Sequence, residues 1–258
     1  RPYFHCEFQQ MKENRKIGLN PNVSVDCVVF GFQNAKLKVL LMERNHEYEE
    51  GEDSIDTALP GDLIKNDENL NEAATRVLGE LTGLDQIYLE QFAAFGDPSR
   101  LANEGDQHWL EQIRENPEAR VITIGYFSLI RPENFEINVS SFAKNAGWYA
   151  LEEVPNLAFD HNEILQKGLK ALKNKLRNHP IGFELLPRKF TLGQLQQLYE
   201  IILDTELDKR NFRRKILKLN FLEPLAEKQS GVAHKPAKLY RFDKERYESL
   251  PISVFDFQ

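Results

Sequence analysis

Cysteine is scarce, with only Cys6 and Cys27 in 258 residues. The two form no C-x-x-C pair and no metal-type cluster, which excludes a disulfide framework and a cysteine-built zinc site. Cys27 stands inside the apolar run Val25-Asp26-Cys27-Val28-Val29-Phe30. A buried free thiol is expected there, and that suits a reducing cytoplasm. Long apolar runs are also missing. No stretch reaches the ~18 apolar residues that a spanning helix needs, so no membrane partner is expected. The opening Arg1-Pro2-Tyr3-Phe4-His5 lacks the charged start and apolar segment of a secretory leader, so none is expected. No internal repeat or low-complexity tract is visible. A general basic excess is absent too, since the formal net charge is −7. That argues against a chain that binds nucleic acid over its whole surface.

The net charge hides an asymmetry. From Leu186 onward there are 14 basic and 10 acidic residues, which leaves 19 basic and 30 acidic residues for Arg1–Leu185. Halves of opposite sign point to different tasks. The boundary signal is His179-Pro180-Ile181-Gly182, where Pro and Gly punctuate the chain. We therefore divide it into an N-terminal extension over 1–19, a first domain over 20–180 and a second over 181–258.

In the first domain, Val23–Phe30 reads as a buried strand and Lys36–Met42 as its partner, with Phe32-Gln33-Asn34-Ala35 as the hairpin turn. Leu70, Ala73, Ala74, Val77, Leu78 and Leu81 recur at helical spacing, and Gly83 supplies the stop. Gln86–Phe95 and Val121–Leu129 read as further strands. Leu101–Pro117 between them is charged and reads as a surface insertion with a helical piece. Trp148–Pro155 gives a short strand and turn, and His161–Leu176 an amphipathic helix. Trp148 and Tyr126 are expected in the core, and His108 and Trp109 as surface cover.

The stretch from Asp62 to Leu84 resembles a Nudix box, G-x5-E-x7-R-E-U-x-E-E-x-G-U with U aliphatic. Aligned on Gly83-Leu84, it keeps Glu68, Arg76, Leu78 and Glu80. It has Asp62 in place of the opening glycine, and Val77 and Leu81 in place of two glutamates. In the Nudix pattern such glutamates help hold divalent metal ions, which polarise a diphosphate and activate water. An aliphatic side chain offers no oxygen ligand. The reading is a Nudix frame without its chemistry, with no catalytic residue, no metal and no cofactor. Val77 and Leu81 also extend the apolar face of their helix.

In the second domain, Thr191 is placed to cap a helix that runs to about Leu203. Asp208 is placed to cap another, Lys209–Leu219. At about 100° per residue, Phe212, Ile216 and Leu219 share one side of it and Arg210, Arg213 and Arg214 the other. Phe221-Leu222 begins a strand, Glu227–Pro236 is a polar loop, and Lys238–Phe242 is the return strand. A helix, a turn, a basic helix and a hairpin with a basic tip form a winged helix-turn-helix layout. Arginine on such a helix can pair with guanine edges in the major groove and hold phosphates. A basic face alone is more often solvated surface. It is the order of elements that raises the DNA reading above that alternative.

The whole chain resembles the Nudix-related transcriptional regulators, the group that includes NrtR and the arabinose regulator AraR. The resemblance covers about residues 20–245. It rests on Arg76–Leu84, Phe95-Gly96-Asp97-Pro98-Ser99-Arg100, Arg120–Phe127, Phe159-Asp160-His161, Gly182–Pro187 with Phe190-Thr191-Leu192, and Asp208–Lys215. It implies an α/β Nudix-like sandwich of αβα layers that senses an effector, followed by a C-terminal winged helix-turn-helix domain. It also implies a homodimer on a palindromic double-stranded operator. The Arg76-Val77-Leu78-Gly79-Glu80-Leu81 form of the box looks more like the sugar-sensing branch, with L-arabinose as effector and ADP-ribose as the alternative. DNA contacts are expected from Lys209, Arg210, Asn211, Arg213, Arg214 and Lys215, and from His234, Lys235 and Lys238 of the wing. Effector contacts are expected from Asp26, Arg44, Asp97, Arg100 and His161, although a plain helix-start role also fits His161. Two other readings stay open. One is an active hydrolase of ADP-ribose-like substrates using Glu68 and Glu80. The other is an adaptor whose basic helix docks an acidic protein.

Overall fold

The computed structural model describes residues 18–44, 57–83, 88–102, 106–107, 110–111, 114, 116–134, 143–179, 181–231 and 235–248. Its first half is built on β1 (Leu19–Gln33), whose segment from Val25 to Phe30 is buried throughout. Near-continuous burial of this kind marks a strand covered on both faces. β1 turns through Asn34 and Ala35, both at positive φ, into β2 (Lys36–Arg44). Two consecutive left-handed residues make the tight hairpin whose twist matches its strands, and Gln33 pairs with Lys36 across it. The turn thus lies where the sequence puts it, at its last two residues.

The sheet runs β3 (Thr57–Ala58), β2, β1, β6 (Ile122–Ile130), β5 (Tyr88–Phe95). In addition β4 (Gly61–Lys65) pairs with β1, and β7 (Ala143–Ala150) with β2. β1 and β6 are parallel and the other pairings are antiparallel. Sequence patterning did not single out β3 or β4.

Alternate residues of β1 face opposite layers. Val25, Cys27 and Val29 pack with Ala73, Ala74, Val77, Leu78 and Leu81 of α1 (Leu70–Thr82). Val28 and Phe30 join the cluster that holds Ile164, Leu165, Leu172 and Leu176 of α2 (His161–Asn178). This is the expected αβα sandwich. The ends of α1 follow local chemistry. Asn69 and Glu72 form a reciprocal capping box, and Gly83 closes the helix in the left-handed conformation.

The insertion is less superficial than its charge suggests. Its described residues 106–107 and 110–111 are helical, and Leu110 is fully buried with Leu63, Leu101 and Val121. His108 and Trp109 lie outside the described residues.

A short 3-10 turn, Ile181–Leu185, follows α2. Then come β8 (Phe190–Thr191), α3 (Leu192–Leu203), α4 (Lys209–Lys218), β9 (Leu222–Lys228), β10 (Lys238–Phe242) and α5 (Lys244–Glu248). The second sheet is ordered β8-β10-β9, which is a winged helix-turn-helix. Thr191 caps α3 through a capping box with Gln194, and the Asp208 carboxylate accepts the Asn211 N–H at the start of α4. The core does not stop at the boundary placed at residues 180 and 181. Leu176 of α2 lies in one cluster with Phe183, Leu198 and Tyr199, and Phe183 stacks on Phe242 at 4.3 Å between ring centroids.

Candidate functional site

The outer face of α4 is one candidate. Phe212 and Ile216 are buried against α3, where Tyr199 meets Phe212 edge-on. Lys209, Arg210, Asn211 and Arg214 are exposed. Arg214 donates to the Asn211 side chain at 2.8 Å, so the two are held as a pair on the surface. Arg213 departs from the expected outward placing. It sits at the flank, partly buried, with Nε out of reach of water. The reason is the helical step: Arg213 lies between buried Phe212 and the crest at Arg214. Lys215 flanks the other side.

In the wing, Lys235 and Lys238 are exposed, and Lys238 lies 5.9 Å over the Tyr240 ring. His234 lies outside the described residues. Sequence reading passed over Leu217. It is 46 % exposed, three residues beyond Arg214 and seven beyond Arg210, so it shares their crest. The same 100° spacing would have found it.

The Nudix-like box is the second candidate. Arg76 closes it from within. Its Nε donates to Glu68 Oε2 at 2.9 Å and its Nη2 to Glu68 Oε1 at 2.7 Å. Nη1 reaches Asp62 at 3.2 Å, and Nη2 also meets the Leu63 carbonyl. The Arg76 hydrogen bonds hold Glu68 below the usual carboxylate range, against the effect of burial. Glu80 stands 3.8 Å from Arg76. Val77 and Leu81 are 1 % and 0 % exposed, sealed into the α1 side of the core. Among the described residues, no group of three His, Cys, Asp or Glu is placed to hold a metal ion.

The third candidate is a buried polar cluster where α2 begins. It gathers three of the five expected effector residues. Arg100 donates to both oxygens of Asp160, at 3.0 and 2.8 Å, and stands 3.5 Å from Asp26. Burial opposes the Arg100 charge, but the Asp160 bonds and the Asp26 charge hold its pKa above the ordinary value. His161 Nδ1 accepts the Leu59 N–H at 3.0 Å. That leaves Nε2 to carry the proton, 3.6 Å from Asp26. Burial pulls the His161 pKa down, against the pull of Asp26 and Asp160. Next to it, Phe159 is left-handed at φ 56°, a strained setting for a bulky residue.

Asp97 stands apart. It is exposed and accepts from the Ser99 N–H and hydroxyl, capping the turn that leads to Arg100. The Ser99 bonds hold its pKa below the carboxylate range. Arg44 ends β2, and its side chain lies outside the described residues. Asp160 was missed as the partner of Arg100 because 60 residues separate them. Arg114 was missed as well. It lies close enough to feel Asp26, Asp62 and Arg100.

A family model described as the NUDIX domain matches residues 20–168. One described as the NrtR DNA-binding winged helix domain matches residues 182–242. The chain is 33% identical over 234 residues to the ADPR responsive transcriptional repressor NtrR of Acinetobacter baylyi, covering 89% of this chain and 85% of that one. It is 26% identical over 151 residues to an ADP-ribose pyrophosphatase of Methanocaldococcus jannaschii, covering 58% of this chain and 75% of that one. A crystal structure of Shewanella oneidensis NrtR complexed with a 27mer DNA superposes with a TM-score of 0.69 at 25% identity, covering 88% of this chain and 95% of that one. The Acinetobacter repressor and the DNA-bound Shewanella structure lie on the NrtR side, and none of the three gives support to the arabinose branch expected from the Arg76–Leu81 form.

Proposed function

The chain belongs to the NrtR-like family of Nudix-related transcriptional regulators, and on that premise we propose that it is a repressor released from DNA by ADP-ribose. The observation that carries the DNA half is the crest of α4. Arg210, Asn211 and Arg214 stand exposed, opposite buried Phe212 and Ile216, inside a winged helix. Arg210 and Arg214 read base edges. Lys209, Arg213 and Lys215 hold phosphates at the flanks, and His234, Lys235 and Lys238 follow the backbone with the wing. A homodimer on a palindrome is the matching geometry, and the reducing cytoplasm is the matching place for the buried Cys27 thiol.

The effector half rests on the Acinetobacter repressor, whose name states its response to ADPR. ADP-ribose therefore replaces L-arabinose as the effector. Asp26, Arg44, Asp97, Arg100 and His161 remain the residues assigned to the effector region. Asp26, Arg100 and His161 are the three of these that meet in one buried cluster. The domain senses and does not hydrolyse, because Val77 and Leu81 bring no oxygen where the Nudix pattern has glutamates.

For switching, ADP-ribose must bind the DNA-competent and incompetent forms with unequal affinity. α2 suits that linkage, with its first turn in the polar cluster and Leu176 packed on the winged helix. The test is selection of genomic fragments from the source organism, with and without ADP-ribose or L-arabinose. A palindrome released by ADP-ribose is expected. Release by arabinose alone would restore the sugar reading, and the absence of any sequence preference would remove the regulator reading.

A further inference from the structure

Nudix folds imply a divalent cation at the box, so the residues present must be asked whether they fit one. They do not. Val77 and Leu81 are hydrocarbon sealed in the core. Glu68 is clamped by two nitrogens of Arg76, and Glu80 leans on the same guanidinium. A diphosphate arriving here needs positive charge from another source.

The arginines already described have little to give. Arg76 is spent on Glu68, Asp62 and the Leu63 carbonyl. Arg100 is spent on Asp160 and Asp26. Arg114 differs. Its Nη1 is buried, and no acceptor among the described residues meets it. The guanidinium lies within electrostatic reach of Asp26 and Asp62, and it is repelled by Arg100. Burial draws its pKa down to about 10, so it still carries its charge at neutral pH.

Its place is fixed by the insertion. The Arg114 N–H donates to the Leu110 carbonyl at 2.8 Å, and Leu110 is fully buried beneath it. One helical turn earlier, Asp106 accepts the N–H of strained Phe159 at 2.9 Å. The insertion is thus fastened at two points. It carries Arg114 within electrostatic reach of Asp62, the opening position of the box, and of Asp26 in the cluster where α2 begins.

We propose that Arg114 anchors the effector's diphosphate in place of the metal ion of a Nudix enzyme, so that the sensor binds a nucleoside diphosphate sugar without a divalent cation. This rests on the ADP-ribose reading above. A guanidinium suits the task because its forked donors match phosphate oxygens. It also gives the insertion a function, that of delivering the missing charge.

The test is calorimetric titration of the full chain with ADP-ribose, in EDTA and in Mg²⁺, for wild type, Arg114→Gln, Arg114→Lys and Arg114→Met. Wild type is expected to bind equally in both buffers. Arg114→Gln should weaken binding by at least about tenfold, with partial recovery in Arg114→Lys. Ligand-free Arg114→Met should melt no lower than wild type, because it removes a buried charge that lacks a full set of partners. An anchor built for stability alone would instead lower the melting midpoint and leave the affinity per folded molecule unchanged. Unchanged affinity in Arg114→Gln, or wild-type binding only with Mg²⁺, would overturn the proposal while leaving the effector reading intact. No wild-type binding in either buffer would overturn the effector reading, and this one with it.

Discussion

Arg76 grips Glu68 through two nitrogens, with Nε at 2.9 Å from one carboxylate oxygen and Nη2 at 2.7 Å from the other. Both side chains are mostly enclosed. Glu68 also accepts the Lys65 N–H at 2.7 Å, so one carboxylate ties the approach to α1 to the helix itself. Two of the box charges that look like catalytic remnants therefore act as a clasp.

Removing one side of that clasp strands the other. Glu68→Ala should destabilise the protein by about 2–3 kcal/mol, the range for a partly enclosed charged pair broken from one side. Chemical denaturation would measure it. The pH dependence follows from the lowered Glu68 pKa. A carboxyl lowered in the folded state adds stability above its unfolded pKa, and that stability is lost as pH falls through the folded value. The wild-type advantage over Glu68→Ala should shrink below about pH 4.5. Glu80 is far more exposed and only 3.8 Å from Arg76. Glu80→Gln should leave stability almost unchanged, within the ~1 kcal/mol of an exposed pair.

Hydrolysis is tested at the same residues. Incubation of the protein with ADP-ribose and Mg²⁺ or Mn²⁺ should release no AMP. Turnover that disappears in Glu80→Gln would show that the two remaining glutamates suffice, and would reinstate the hydrolase reading.

His161 gives a second pH test, of opposite chemistry and the same sign. Burial depresses its pKa, so the folded state resists protonation that the unfolded chain accepts. The unfolded state then binds more protons as pH falls, and stability declines with it. The melting midpoint should hold steady above about pH 7 and fall from about pH 6.5 downward. His161→Gln should flatten much of that slope and leave a remainder, because His179 is shifted in the same direction. An unchanged slope would mean that His161 is not held neutral.

What the sequence disclosed was mostly local. Gly83, Thr191 and Asp208 end or begin helices as read, because a cap depends on a few neighbouring backbone groups. Periodicity placed Val77 and Leu81 in the core. The polar cluster was only partly legible. Asp26, Arg100 and His161 were singled out from strand ends and motif positions, but their mutual contacts span 60 residues or more and arise because the turn after β5 and the start of α2 meet at Asp26 of β1. Charge counting placed the insertion on the surface. Its burial comes from Leu101 and Leu110, two apolar residues too few and too far apart to form a periodic signal.

The order of residues around α4 ranks the DNA contacts. Arg210→Ala and Arg214→Ala should each cost operator affinity about 1–3 kcal/mol and relax the preference at one base position. Arg213→Ala should weaken binding to operator and random DNA alike, and lower the salt slope by about one, as expected for a phosphate contact at the flank. All three should keep their fold, because none fills the space held by Phe212 and Ile216. Fluorescence anisotropy at several salt concentrations separates these outcomes. Equal loss of operator and random binding in Arg214→Ala would remove it from base reading.

Leu217 completes that surface. A leucine 46 % exposed on the crest of a guanidinium-rich helix gains nothing from water. In a major groove it can cover a thymine methyl, the one apolar group that the groove offers. Leu217→Ala should therefore lower affinity for the operator by about 1 kcal/mol, the transfer value of three carbons scaled to the 46 % of the residue still exposed, while leaving random-DNA binding and the salt slope unchanged. Replacing thymine by uracil at each operator position in turn should reproduce the loss at one position in the wild type and add nothing further in the variant. If Leu217→Ala binds operator as wild type does, the leucine lies outside the groove and the reading surface ends at Arg214.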